Sequence, residues 1–140
     1  MFKQHQQSFK TTTPGRGMIN VSAMVAEIVS AAKVSQGLCN IFLHHTSASV
    51  IICENADIVV QQDMEAFMSD LIPDGHALFK HIDEGPDDMP SHVRNILTQS
   101  SLSVPVAKSK LDLGIWQGIF LWEHRINSHI RKMTVTVQGS

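Results

Sequence analysis

His44-His-Thr-Ser-Ala-Ser-Val-Ile-Ile-Cys-Glu-Asn-Ala-Asp57 is the stretch on which the reading of this chain turns. It places a histidine pair, small hydroxyl residues, an apolar run and a Glu-Asn-x-Asp cluster side by side, between two segments of ordinary periodic pattern. Upstream, Leu38 to Leu43 alternates with a period of two, so Cys39, Ile41 and Leu43 share one face and Asn40 and Phe42 the other. Continuing that period puts His45 in the core-facing row and turns His44 to the opposite face. An imidazole at the inner end of such a row needs a hydrogen-bonding or metal partner. Downstream, Val50 to Cys53 has the composition of a second buried strand, joined to the first through Thr46 to Ser49, and Asp57 stands where a helix begins. Polar groups at the inner ends of strands, beside a helix start, are the sequence pattern of a site.

Before this stretch, Phe2 to Thr13 reads as an edge strand, Pro14, Gly15 and Gly17 as a turn, and Met18 to Val21 as a short strand. Ser22 is positioned to cap a helix running from Ala23 to about Lys33, with Met24, Val25, Ile28, Val29 and Ala31 or Ala32 as its apolar stripe. After it, Val60, Met64, Phe67, Met68 and Leu71 recur at helical spacing and predict a helix from Asp57 to Leu71. This helix would pack that stripe into the core and turn Asp63, Glu65 and Asp70 outward. Pro73 to Pro90 has no period but carries His76, His81, Asp83, Glu84, Asp87 and Asp88; an aperiodic stretch of this length in a compact domain is usually functional or disordered. A short helix follows from about Pro90, with Asp88 as its N-cap, carrying His92, Val93, Ile96 and Leu97. Leu102, Val104 and Val106 then alternate as a strand, and Ile115 to Trp122 forms a longer one that is apolar on both faces and so central or covered on both sides. Arg125 to His129 is a turn, and Met133, Val135 and Val137 mark a last strand. The order of elements is α+β, with antiparallel pairing expected among the C-terminal strands.

The 140 residues suit one domain with a core of its own, spanning 1–140. A net charge of -2 argues against a nucleic-acid-binding surface, and no apolar run approaches the ~20 residues of a membrane helix. The polar N-terminus has no signal-peptide pattern, so a cytoplasmic protein is expected. Cys39 and Cys53 fall in apolar runs and read as free core thiols. Eight histidines against thirteen acidic residues raise the expectation of metal or acid-base chemistry.

His45, His81 and His92 are the histidines that attract attention. A three-His site with an open fourth position would suit a catalytic divalent metal, although neither a His-Glu-x-x-His nor a Cys-x-x-Cys pattern is present. Glu54, Asp57, Asp87 and Asp88 have two readings: helix capping and dipole complementation, or binding Mg2+ and carrying protons. Thr46, Ser47 and Ser49 would either donate to a phosphate or stabilise a turn. There is no Walker loop and no dinucleotide-binding glycine pattern.

His45-Thr-Ser-Ala48, Glu54-Asn-Ala-Asp57, Asp87-Asp-Met-Pro-Ser-His92 and Gly114-Ile-Trp-Gln-Gly118, followed by Glu123-His-Arg125, occur in the order and spacing of the YjbQ-like family, which this chain resembles from about Phe2 to Gly139. That family is described as secondary thiamine-phosphate synthase. The resemblance implies a compact α+β domain with a β-sandwich-like core and flanking helices, assembled as a homotrimer, with a pocket between subunits around His45, His81 and His92 that holds a metal or an anion. It further implies joining of a pyrimidine diphosphate to a thiazole phosphate with loss of diphosphate. His45, Asp57 and Asp87 would then be catalytic, and Thr46, Ser47, Asn55, Arg125 and Arg131 would bind the phosphorylated substrate. His45, His81 and His92 would hold a divalent metal, zinc or magnesium. A metal-dependent hydrolase and a non-catalytic trimeric binder of an anionic metabolite are the alternatives. Two positions depart from the family pattern: Ser109 stands where Gly is usual and Ile115 where Thr is usual. His44 lies outside the shared motif.

Overall fold

Alternation along the strands builds two sheets. The computed structural model describes residues 1–140: β1 (Lys3–Thr12), β2 (Gly17–Asn20), α1 (Ser22–Ala32), β3 (Gly37–Leu43), β4 (Ala48–Glu54), α2 (Ile58–Leu71), α3 (Asp88–Leu97), β5 (Ser101–Ala107), β6 (Lys110–Leu111), β7 (Gln117–Glu123) and β8 (Ile130–Gly139). Strands β1-β8-β3-β5-β6 form one sheet and β2-β7-β4 the other, with every pairing antiparallel. Cys39, Ile41 and Leu43 of β3, Val104 of β5 and Val135 of β8 point inward to meet Val50 of β4, Ile119 and Leu121 of β7, and Val25 and Val29 of α1 in one core. The chain is thus an α+β domain with curled antiparallel sheets and three helices, as expected. No helix is long and apolar enough to cross a membrane. Both cysteines are buried and free, and burial pushes the Cys39 thiol up to about 12.

Strand β7 is central and covered on both sides. Ile119 and Leu121 face the core, while Trp122, 3 % exposed, donates its indole N–H to Glu65 Oε1 at 3.0 Å. It starts two residues later than the apolar run predicts, because Gly114 N–H donates to Gln117 Oε1 and Gln117 N–H to Gly114 O, closing a turn first. Ile115 and Trp116 precede the strand and are exposed. The C-terminal strands pair differently from expectation. Only β5 and the short β6, not anticipated from the sequence, form a hairpin; β7 and β8 lie in different sheets, and β8 inserts between β1 and β3. Ser22 is the first residue of α1 rather than its cap. Its hydroxyl accepts the Ile119 N–H at 2.8 Å, and Asn20 Oδ1 accepts the Ser22 N–H.

The second helix is where the expected orientation fails. Asp57 caps α2 as read, its Oδ1 accepting the Val59 N–H at 2.9 Å. Yet no residue of α2 is buried, and Met64, Phe67 and Leu71 are 45, 67 and 57 % exposed. The helix is anchored through its polar side instead. Glu65, expected on the outer face, accepts from Trp122 and from Arg94 Nη1 at 2.7 Å, and Arg94 is wholly buried. A buried guanidinium must be paired, and the only carboxylate within its reach comes from this face of α2. Met64, Phe67 and Leu71 are therefore left facing away from the core of this chain, while Val60 and Met68 of the same stripe are half-buried.

Two connections bridge the sheets at the same end of the sandwich. Residues 44–47 carry the chain from β3 to β4, and residues 124–129 carry it from β7 to β8. Because Leu43 pairs with Met133 and Ala48 with Glu123, these crossings lie side by side. Asn95 of α3 closes that end, donating to Ala48 O at 2.6 Å.

Candidate functional site

The crossing at residues 44–47 lines an open basin of about 530 Å³, walled also by Ser100 and Arg131. Parity places the two histidines as the period of β3 predicts. His44 stands with Phe42, their rings 5.0 Å apart and edge to face, and its Nε2 lies 2.7 Å from Thr134 Oγ1. His45 turns to the other side, where its Nε2 accepts the backbone N–H of Lys132 at 2.8 Å, and both histidines line the basin. A backbone N–H only donates, so this nitrogen carries the lone pair and the proton sits on Nδ1. Burial and the nearby charge of Arg131 hold the ring below its ordinary pKa, favouring that neutral form.

Behind the basin runs a buried ion pair. Arg131 is 3 % exposed and Glu123 wholly buried; Arg131 Nε donates to Glu123 Oε1 at 2.8 Å and Nη2 to Glu123 Oε2. The same Nη2 reaches Ser47 O at 3.2 Å, tying the crossing to β8. Thr13 Oγ1 and the Arg125 N–H complete the shell of Glu123. Burial alone would raise this carboxyl, but Arg131 and Thr13 hold it below the usual carboxylate range. Arg131 is thus matched charge for charge by Glu123.

Beside the basin lies the second cluster. Asp88, 2 % exposed, accepts at Oδ2 from His81 Nε2 at 2.8 Å, with His92 Nε2 3.2 Å away, and at Oδ1 from Arg125 Nη1 at 2.8 Å. Asp87, not Asp88, occupies the N-cap position of α3, and its side chain makes no cap bond. The expected capping role of Asp88 is displaced because its carboxylate is taken by the two imidazoles and the guanidinium. Burial would raise Asp88, yet the hydrogen bond from His81 and the charge of Arg125 keep it low. His92 Nδ1 lies 2.9 Å from Thr46 O, and a carbonyl only accepts, so this nitrogen bears a proton. In the neutral ring the Nε2 lone pair then points at His81 and Asp88. One ligand atom from each of His81, Asp88 and His92 falls within 4.8 Å of the others, close enough together that the three could hold a cation, with the His92 ring oriented from behind by a carbonyl.

The remaining sequence candidates divide between the two ends of the sandwich. Asp87 accepts Arg125 Nε and the Ile126 N–H, both at 2.9 Å, and with Asp88 it clamps Arg125, whose Nη2 donates to Glu84 O. Arg125 and Asp87 therefore frame the His81–Asp88–His92 cluster and are saturated by one another. Thr46 and Ser47 contribute carbonyls to His92 and Arg131. Asn55 and Asp57 lie beyond the opposite end of β4, a seven-residue strand and so roughly 20 Å from Ser47 within the chain. There Asn55 Nδ2 donates to Ile115 O and Gln117 O, and Glu54 Oε2 accepts the Ala56 and Asp57 N–H groups. These bonds shape the passage from β4 into α2. The structure thus gathers His81 and His92 with Asp88, while His45 faces the adjoining basin. The i, i+4 spacing of Asp88 and His92 on one helix was the available signal for the missed carboxylate.

Comparison with known proteins gives one answer. The family model of the UPF0047 protein YjbQ-like family matches residues 6–140. The UPF0047 protein sll1880 of Synechocystis sp. is 43 % identical over 138 residues, covering 99 % of this chain and 94 % of that protein. The UPF0047 protein YjbQ of Escherichia coli O157:H7 is 38 % identical over 96 % of this chain and 98 % of its own length. Among solved structures, a YbjQ-like protein of unknown function from Sulfolobus solfataricus P2 superposes with a TM-score of 0.90 over 100 % of both chains at 23 % identity. An uncharacterised yjbq/upf0047 family protein from Clostridium acetobutylicum gives a TM-score of 0.82 at 30 % identity, covering 94 % of this chain and 98 % of that one.

Proposed function

The chain belongs to the YjbQ-like UPF0047 family, and from that premise and the geometry of the cluster we propose an enzyme that acts on a phosphorylated small molecule with the help of a divalent cation held by His81, Asp88 and His92. The observation that carries this reading is His92. Its Nδ1–H is fixed by Thr46 O, so its only lone pair faces a buried carboxylate and a second imidazole. The His92 lone pair and the carboxylate it faces repel unless a proton or a cation sits between them, and two imidazoles with one carboxylate would favour zinc over magnesium. Such a cation supplies positive charge that polarises a phosphoryl oxygen and steadies a departing diphosphate. The chain's own groups do the rest. Arg125 holds Asp88 and Asp87 in place, Thr46 O sets the plane of the His92 ring, and the basin beside it takes the body of the substrate.

The specific reaction we assign is the thiamine-phosphate synthase type, in which the nitrogen of a thiazole phosphate attacks the pyrimidine methylene carbon and diphosphate leaves. The test is calorimetric titration of zinc into the metal-free protein, followed by diphosphate release with the two substrates. One zinc per chain is expected, with affinity falling at least about tenfold in Asp88→Asn and His92→Ala. Unchanged affinity in both variants refutes the cation site. Diphosphate released equally fast without the thiazole phosphate assigns hydrolysis instead, and zinc binding without any release leaves a binder.

A further inference from the structure

We propose that the histidines of this site have two separate tasks: His81 and His92 serve the cation, whereas His45 is a neutral hydrogen-bond donor that joins the free edge of Arg131 in binding a phosphate oxygen within the basin. The inference rests on the reading above only in taking the substrate to be phosphorylated.

The assignment follows from what each nitrogen can do. His45 Nε2 accepts from the Lys132 N–H at 2.8 Å, and a neutral imidazole has one lone pair. With that pair used, Nδ1 must be N–H. A cation on Nδ1 would require an imidazolate, and an imidazolium could not accept from Lys132. Either alternative breaks the bond that fixes this ring to the start of β8. Nδ1 has no partner in the protein and is not enclosed, so its proton is offered to the basin that the ring lines.

Arg131 supplies the second donor. The residue is 3 % exposed, its Nε and Nη2 are occupied by Glu123 and Ser47, and Nη1 alone is left without a protein partner on the wall of the same basin. Nη1 is not enclosed, so an acceptor oxygen in the basin can reach it. Because Glu123 cancels the charge, the basin offers directed N–H groups without net positive charge. That combination suits an oxyanion with several acceptor oxygens, and a phosphate monoester meets it while the 530 Å³ of the basin leaves room for the body it is attached to. His92 has the complementary arrangement: Nδ1–H to a carbonyl and the lone pair to the cluster.

Two measurements on the full chain decide the matter. Long-range 1H–15N correlation of histidine-labelled protein at about pH 7.5 should show His45 with a protonated Nδ1 and an unprotonated Nε2. Titrations with inorganic phosphate and with zinc should then separate the tasks. His45→Ala is expected to weaken phosphate at least about tenfold and to leave zinc affinity within about twofold, while Asp88→Asn does the reverse. A pyridine-type Nδ1 at His45, or a loss of zinc in His45→Ala as large as in His92→Ala, overturns the assignment. Should no form bind zinc, the cation reading fails by itself, and the phosphate titration and nitrogen shifts still judge His45.

Discussion

His124 makes this protein sensitive to acid well above the carboxylate range. The residue ends the buried run of β7, wholly inaccessible, with its ring 5.0 Å from that of Trp122. Its Nε2 lies 2.8 Å from Ser49 Oγ, and its Nδ1 is buried without a partner. Burial and the charges of Arg94, Arg16 and Arg131 lower its pKa to about 3, from an ordinary 6.5. Above pH 6.5 the ring is neutral both folded and unfolded and contributes nothing to the pH dependence. Below that point the unfolded chain takes up a proton that the native ring refuses, so stability falls with pH by up to about 1.4 kcal/mol per unit. At about pH 5 the loss is roughly 2 kcal/mol, and once the native ring also protonates it reaches a full value of roughly 5 kcal/mol. His124→Phe removes the titration, keeps an aromatic ring against Trp122, and leaves Ser49 Oγ its bond to Thr98. At neutral pH the variant should be less stable by about 1 kcal/mol, the worth of the lost hydrogen bond. Urea unfolding at one protein concentration, at about pH 7.5, 6 and 5, should show that deficit shrinking and then reversing by roughly 2 kcal/mol in total. Asp87, Asp88 and Glu123, whose native pKa values are depressed, stabilise above the carboxylate range and lose that contribution below it, in both proteins alike. Wild-type and variant curves that stay parallel within about 0.5 kcal/mol would refute the argument.

Glu65→Ala should destabilise by about 3 kcal/mol in chemical unfolding, because it leaves the buried Arg94 guanidinium without its carboxylate, while Glu65→Ala with Arg94→Met should recover most of the loss. Ser109→Gly should raise stability by roughly 0.5 to 1 kcal/mol, read as a higher melting temperature, since Ser109 sits at φ 65° in the β5–β6 turn, where glycine is unstrained. The outward stripe of α2, with Met64, Phe67 and Leu71 exposed, favours self-association, and we expect a homotrimer mass by light scattering at micromolar concentration. A monomer mass would exclude it, and Phe67→Glu should shift the mass downward if α2 lies in the interface.

Much of the fold was legible because it depends on local geometry. A period of two is a property of the extended backbone, so Cys39, Ile41 and Leu43 had to share a face, and His44 and His45 had to part. Asp57 capped α2 as read because a cap bond joins residues two apart. Ile115 and Trp116, which precede β7, show the limit: their apolar run extends past the point where a Gln117 side chain closes a turn.

The amino-acid sequence by itself determined the α+β order of elements, the parity of the histidine pair and the concentration of imidazoles and carboxylates in three segments. Tertiary structure decided what those groups became. The hydrophobic period of α2 says which side is apolar, but the need of a buried Arg94 for Glu65 decided which side faces this core. Asp88 could cap a helix or bind imidazoles with the same two oxygens. The choice fell to Arg125 and His81, brought in from 37 and 7 residues away. His45 was placed by its own strand, yet its proton was assigned by Lys132, 87 residues distant. Short-range backbone geometry can be read along the chain, whereas the partner of a buried polar group depends on which distant segment reaches it in the folded state.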